Sequence, residues 1–233
     1  MSYRTHNDVC GNFFIAFLQG KETNMKMELQ REHTGKLTVC AMMVALATIL
    51  STIKLDVIFG GGVTLFSMVP ILALGVLFGL RWGFGAAFVY SILQLLLGLD
   101  NVMYLQNFWS NTSVALVDYI LPYTALGVAG FFRLSREEGR GSASTKLSIA
   151  VALGCTLRFL CHWFSGMVVW NDLTSTEVST FEFPWGSVWD NLGVIAYSAV
   201  YNGWYMIIEL VLTMMAMLLL YPVLKRLRDK IEH

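Results

Sequence analysis

Long apolar runs alternate with short polar connections along this chain. Several of them approach the roughly 20 residues that a helix needs to cross a bilayer. In lipid every backbone N–H and C=O must be satisfied within its own segment, so such runs fold as helices. The expected fold is therefore all-α, a polytopic bundle of six transmembrane helices. The spans are placed at about 37–53, 64–80, 84–97, 113–132, 147–170 and 191–221. Pro70 falls in the first half of the second span, Arg81-Trp82-Gly83 is read as the tight turn into the third, and the sixth is expected to end at Pro222.

The rest of the chain divides around that domain. Residues 1–36 are polar and mixed in charge apart from the patch 13–18, which is too short to span a membrane. They are expected to form a disordered cytoplasmic extension, with the part before Met25 dispensable. Residues 37–224 make the membrane domain, and 225–233 a basic cytoplasmic tail. The segment 54–63 contains Gly60, Gly61 and Gly62 and can fold back as a loop; 133–146 is a charged connection rich in Gly and Ser.

Positive residues set the orientation. Lys26, Arg31 and Lys36 precede the first span, and Arg81, Arg133, Arg136, Arg140 and Lys146 fill the even-numbered connections. Lys225, Arg226, Arg228 and Lys230 close the chain, whereas the odd-numbered loops hold only Lys54. Both termini are thus expected in the cytoplasm of a multi-pass cell-membrane protein. The formal net charge is zero and no basic stripe interleaved with aromatics occurs, so nucleic acid is not an expected partner. The four cysteines form no CxxC pair and read as small buried thiols, with no metal or disulfide framework.

Against this apolar background, the stretch from Arg158 to Trp170 carries a cation, an imidazole and two indoles. Helical periodicity puts Arg158, His162, Ser165 and Val169 on one face, with Gly166 and Trp170 at its shoulder. Ionisable groups at membrane depth usually face a bundle interior, a partner or a ligand. The bland alternative is that Arg158 snorkels and His162 caps a neighbouring carbonyl. Asp118 and Tyr119 on the fourth span, and Tyr197 and Asn202 on the sixth, fall near the same expected depth. This inventory suits a flat heterocycle with edge donors and acceptors: Trp170 can stack on a ring or cation, and Asp118 can neutralise a positive ligand. His162 and Asn202 can each donate and accept. Tyr201 and Tyr205, recurring every fourth residue after Tyr197, read more simply as helix packing.

Residues 61–71, Leu116-Val-Asp-Tyr119, the spacing His162-x3-Gly166-x3-Trp170 and the pair Tyr197-x4-Asn202 resemble the thiamine-specific S-component of energy-coupling-factor (ECF) transporters. The resemblance covers about 37–224. It implies a six-helix S-component bundle that captures thiamine at the outer face, needs no cofactor, and is moved in the membrane by a transmembrane coupling subunit and two ATPases. It also implies substrate-binding roles for Asp118, Tyr119, Arg158, His162, Gly166, Trp170, Tyr197 and Asn202, and for Tyr90 on the third span. Asp118 departs from the glutamate of the family, and Phe59 is the only aromatic where its lid carries a tryptophan. Ala41 and Ala45, small residues four apart, correspond to the family's docking surface for the coupling subunit. Glu209 lies two turns beyond Asn202 on the same face, able to pair with Arg158 or to meet ligand.

No Gly-x4-Gly-Lys-Ser/Thr motif is present, so ATP hydrolysis would fall to partners and the chain is not expected to be an enzyme. An S-component for another small heterocycle is the alternative within the class. An intramembrane hydrolase using Ser165 and His162 lacks a Gly-x-Ser-x-Gly elbow. A structural membrane protein would not need His162, Asn202 and Asp118 at a common depth.

Overall fold

The computed structural model describes residues 4–56, 62–103, 108–168 and 194–231. The chain divides into two compact units, Met1–Val39 and Cys40–His233. In the first unit, the backbone from Arg4 onward is helical and belongs to α1 (Arg4–Thr52), not to the irregular extension expected from its polar sequence. No proline interrupts it, and 26–32 (Lys-Met-Glu-Leu-Gln-Arg-Glu) is a run of strong helix formers.

The second unit holds the membrane bundle. Along α1, Cys40, Val44, Ala47 and Ser51 are buried, at spacings of four and three, while Leu37, Met42, Leu46 and Ile49 are exposed. One helical stripe therefore packs and the remainder is apolar outside, the pattern of a helix set in lipid. After α1 the segment around 54–64 does fold back, as a hairpin: β1 (Lys54–Asp56) pairs antiparallel with β2 (Gly62–Thr64), Leu55 opposite Val63.

The second apolar run departs from expectation. It forms α2 (Met68–Phe78), an 11-residue helix with every residue buried. At 1.5 Å per residue it is about 16 Å long, roughly half the hydrocarbon thickness. Among the described residues, five helices are long and apolar enough to cross a membrane, and α2 is a shorter apolar helix beside them. Pro70 sits in the first turn of α2, where its missing N–H has no intrahelical partner to lose. The turn into α3 (Leu80–Leu97) is made at Gly79, not at 81–83. Gly79 has φ +84°, a left-handed conformation that a side chain would strain, and its N–H closes α2 on the Gly75 carbonyl at 2.8 Å. Arg81, Trp82 and Gly83 lie in the first turn of α3.

A short α4 (Leu99–Met103) precedes a continuous helical stretch from Phe108 to Phe132 whose winding changes three times. It begins as α5 (Phe108–Val114), widens into a π turn (Ala115–Ile120), tightens through α6 (Leu121–Thr124) and ends as a 3₁₀ segment (Ala125–Phe132). Pro122 explains part of this. It cannot donate to the carbonyl four residues back, that of Asp118, and the ladder shifts so that the Leu121 N–H reaches Leu116.

α7 (Arg140–Val168) and α8 (Val194–Ile231) form the most extensive helix pair. The connection before α7 is ordered by Glu138, which accepts from the Ser135 N–H at 3.0 Å, the Ser142 hydroxyl at 2.5 Å and Lys146 Nζ at 3.0 Å. Burial alone would raise the Glu138 carboxyl, but these bonds from Ser142, Lys146 and Ser135 outweigh it and bring it down to about 2. α8 does not stop at Pro222: its buried stripe (Asn202, Glu209, Thr213, Met217, Tyr221) continues through Leu224 and Arg228. The basic tail is thus the last turns of a packed helix.

Candidate functional site

A cavity of about 560 Å³ opens where the hairpin, α3, the Phe108–Phe132 helix, α7 and α8 meet. A volume of this order suits a small-molecule ligand. Seven residues singled out from sequence line it: Asp118, Tyr119, Arg158, His162, Gly166, Tyr197 and Asn202. The π turn supplies Asp118 and Tyr119. Wide turns of this kind inside helices occur frequently at functional sites.

Asp118 and His162 face each other across two helices, with Oδ1 and Nδ1 3.2 Å apart. Oδ2 of Asp118 accepts the Ser165 hydroxyl at 2.7 Å, and Ser165 is fully buried. With the carboxylate as acceptor, Nδ1 carries the proton and Nε2 is left as the other face of the ring. Nε2 is buried without a hydrogen-bond partner among the described residues, on a side chain that lines the cavity. Ser165 donates to Asp118 and so does not present the Ser–His pair that a hydrolase would need.

Gly166 lets α7 and α8 touch. A Cβ there would lie 2.1 Å from Ser198 Oγ, which itself donates to the Trp163 carbonyl at 2.9 Å. Through this contact α8 brings Asn202 against α7. Asn202 Nδ2 donates to the Ser198 carbonyl at 3.0 Å and to the His162 carbonyl at 3.3 Å. Its Oδ1 accepts from Tyr205 at 2.7 Å and keeps one lone pair. Tyr201 and Tyr205, read from sequence as packing, both line the cavity, and Tyr197 stacks on Tyr201 with centroids 6.1 Å apart.

Arg158 stands in the cavity wall. It is 4% exposed and paired with Glu209, and its guanidinium lies 4.8 Å over the ring of Tyr123, whose hydroxyl accepts from Nη2 at 3.3 Å. Glu209 is absent from the cavity wall, so of its two sequence readings the pairing with Arg158 is the one realised. Tyr90, expected at the site, is fully buried behind it. Its ring meets Tyr123 edge-on at 5.4 Å, and Tyr123, one layer closer, reaches the cavity instead. The reason is depth on α3: Gln94, one turn further along the same face, is the residue that reaches the wall, held by its bond to Ser51 at 2.6 Å. Trp170, the loop 171–190 and Phe59 lie outside the described residues.

Sequence reasoning did not single out Thr64, which lies within the stretch 61–71, Ser198, which lies between Tyr197 and Asn202, or Asn101, a lone polar residue, yet all three line the cavity. Ala41 and Ala45 are exposed on α1, away from its buried stripe of Cys40, Val44 and Ala47.

The family model described as thiamine transporter protein (Thia_YuaJ) matches residues 37–229, nearly the whole described bundle. The chain is also similar to thiamine transporter ThiT of Bacillus subtilis (strain 168), with 28% identity over an alignment of 207 residues that covers 85% of this chain and 96% of that protein. Among the described residues, four of the five helices long and apolar enough to cross a membrane line the cavity, an arrangement that fits a multi-pass transporter of small molecules. The match extends over far more than half of the sequence, and the chain belongs to the thiamine transporter protein family.

Proposed function

We propose that this protein captures thiamine at the outer face of the cell membrane and delivers it inward as the substrate-binding subunit of an ECF-type transporter. The observation that carries the reading is the cavity of a thiamine transporter family member in which Asp118, His162, Tyr197 and Asn202 converge from three helices. Thiamine has an aminopyrimidine edge, which suits the open Nε2 of His162 and the spare lone pair of Asn202 Oδ1. Its thiazolium carries a fixed positive charge, which suits Asp118. Tyr119, Arg158 and Gly166 complete the wall, Trp170 is proposed as a stacking partner, and Tyr90 supports Tyr123 from behind.

In this reading both termini are cytoplasmic, as the positive residues favour. Ala41 and Ala45 dock a transmembrane coupling subunit, and two partner ATPases supply the energy, since the chain has no phosphate-binding loop of its own. The test is titration of the purified chain with thiamine, followed by tryptophan fluorescence and calorimetry. Saturable binding supports the reading. Absence of binding, or displacement of thiamine by a different heterocycle at far lower concentration, overturns it.

A further inference from the structure

We propose that Glu209 determines which ligand charge the cavity accepts, by neutralising the Arg158 guanidinium in its wall. The assignment rests on the thiamine reading and deepens it.

Arg158 lines the cavity and Glu209 does not. Both side chains are buried, 5% and 0% exposed, with Nη1 and Oε2 2.5 Å apart. The second carboxylate oxygen is held from another direction. Oε1 accepts from the Thr64 backbone N–H at 2.9 Å and from the Thr64 hydroxyl at 2.7 Å, and that hydroxyl also lies 2.6 Å from Ser67 Oγ. Three bonds from β2 and α7 therefore fix the Glu209 carboxylate, so it cannot swing away from Arg158 when a ligand enters.

The consequence is electrostatic. An unpaired arginine in a cavity wall is a fork for phosphate or carboxylate and repels a cation. Paired with a fixed carboxylate it presents only a weak dipole. The other charged groups on the wall are Asp118, beside His162, and Lys54, which is exposed on the hairpin and screened by solvent. The balance near Arg158 then favours a cationic ligand over an anionic one, even though a guanidinium stands there. Removing the charge of Glu209 alone would turn that preference toward an anion. Removing the charge of Arg158 alone would push it further toward a cation.

The two probes are thiamine and its monophosphate ester, which share both rings and differ in an anionic group. Affinities for both are measured by calorimetry on the full chain and on Glu209→Gln, Arg158→Gln and the double variant. The ratio of thiamine to monophosphate affinity is expected to fall by about tenfold or more in Glu209→Gln and to rise by a similar factor in Arg158→Gln. In the double variant, which buries no unpaired charge, it returns toward the wild-type ratio. A residue that only supports the fold would weaken both ligands alike and leave the ratio where it was. Glu209→Gln strands a buried cation and can fail to fold; Arg158→Gln and the double variant then decide, by the rise and the return. Wild-type binding with unmoved ratios overturns the assignment alone. A wild-type chain that binds neither probe overturns the thiamine reading, and this assignment with it.

Discussion

Tyr205 donates its hydroxyl proton to Oδ1 of Asn202 at 2.7 Å, and that bond fixes which way the amide faces. The amide nitrogen is thereby turned to the Ser198 and His162 carbonyls, and the oxygen of this cavity-lining residue keeps a second lone pair. Tyr205→Phe should weaken thiamine binding by about 1 kcal/mol, the usual worth of one such bond, while the fold persists. Calorimetry at constant temperature checks it. Unchanged affinity would mean that Ser198 and His162 orient Asn202 by themselves.

Asp118→Asn removes the negative charge that His162 and Ser165 both address. Loss of one partner of a desolvated charge pair costs roughly 2–5 kcal/mol. Binding of thiamine should suffer by an amount in that range, whereas a neutral analogue lacking the thiazolium charge should lose much less. Equal losses for the two ligands would assign Asp118 to holding His162 in place only.

Gly166→Ala forces a methyl group to within 2.1 Å of Ser198 Oγ. The helices must part or the serine must rotate away from the Trp163 carbonyl, at a cost of about 1–3 kcal/mol. Thermal stability and thiamine affinity should fall together. Adding Ser198→Gly should recover part of both, because the clashing atoms are then gone; failure to recover either would locate the damage elsewhere.

Ala41→Trp with Ala45→Trp adds bulk to an exposed face of α1. Binding of thiamine by the isolated subunit should remain near normal, while uptake in cells and co-purification with a coupling subunit are lost. Full uptake by the double variant would show that a partner docks elsewhere.

Glu138 gives a pH signature. Its carboxyl is held at about 2, below the 4.5 of a free side chain, so its contribution is fully present above 4.5 and is lost as pH falls toward 2. The melting temperature of the wild type should exceed that of Glu138→Gln at about pH 6, and the gap should close on acidification below about pH 4.5. A gap that is constant with pH would mean that the carboxylate's charge is not what stabilises this connection.

What was legible in the sequence was periodic. The apolar runs located every long helix, and the spacing of His162, Gly166, Tyr197 and Asn202 placed their side chains on facing stripes, because a regular helix converts spacing into direction. What escaped was set by tertiary contact or by local winding. The run after Thr64 has the composition of a full span, and only packing on all sides makes α2 short and wholly internal. Thr64, Gln94 and Tyr123 reach the cavity because neighbouring elements bring them there. Tyr90 has the right chemistry one turn too early. Pro222 reads as a stop signal, yet Leu224 and Arg228 find burial beyond it and the helix continues.

The wide turn at Ala115–Ile120 acts as a phase shifter. Each added residue rotates a helix by about 100°, so one extra residue in a turn changes which side of the bundle everything beyond it faces. Val114, Asp118 and Tyr123 all line the cavity at separations of four and five, a sequence no uniform α-helix would keep on one side for long. Shortening this turn by one residue would restore regular winding and gain a better helix. The same deletion would turn either Asp118 away from His162 or Tyr123 away from Arg158. The irregularity is what allows one helix to meet both His162 and Arg158 along the same cavity.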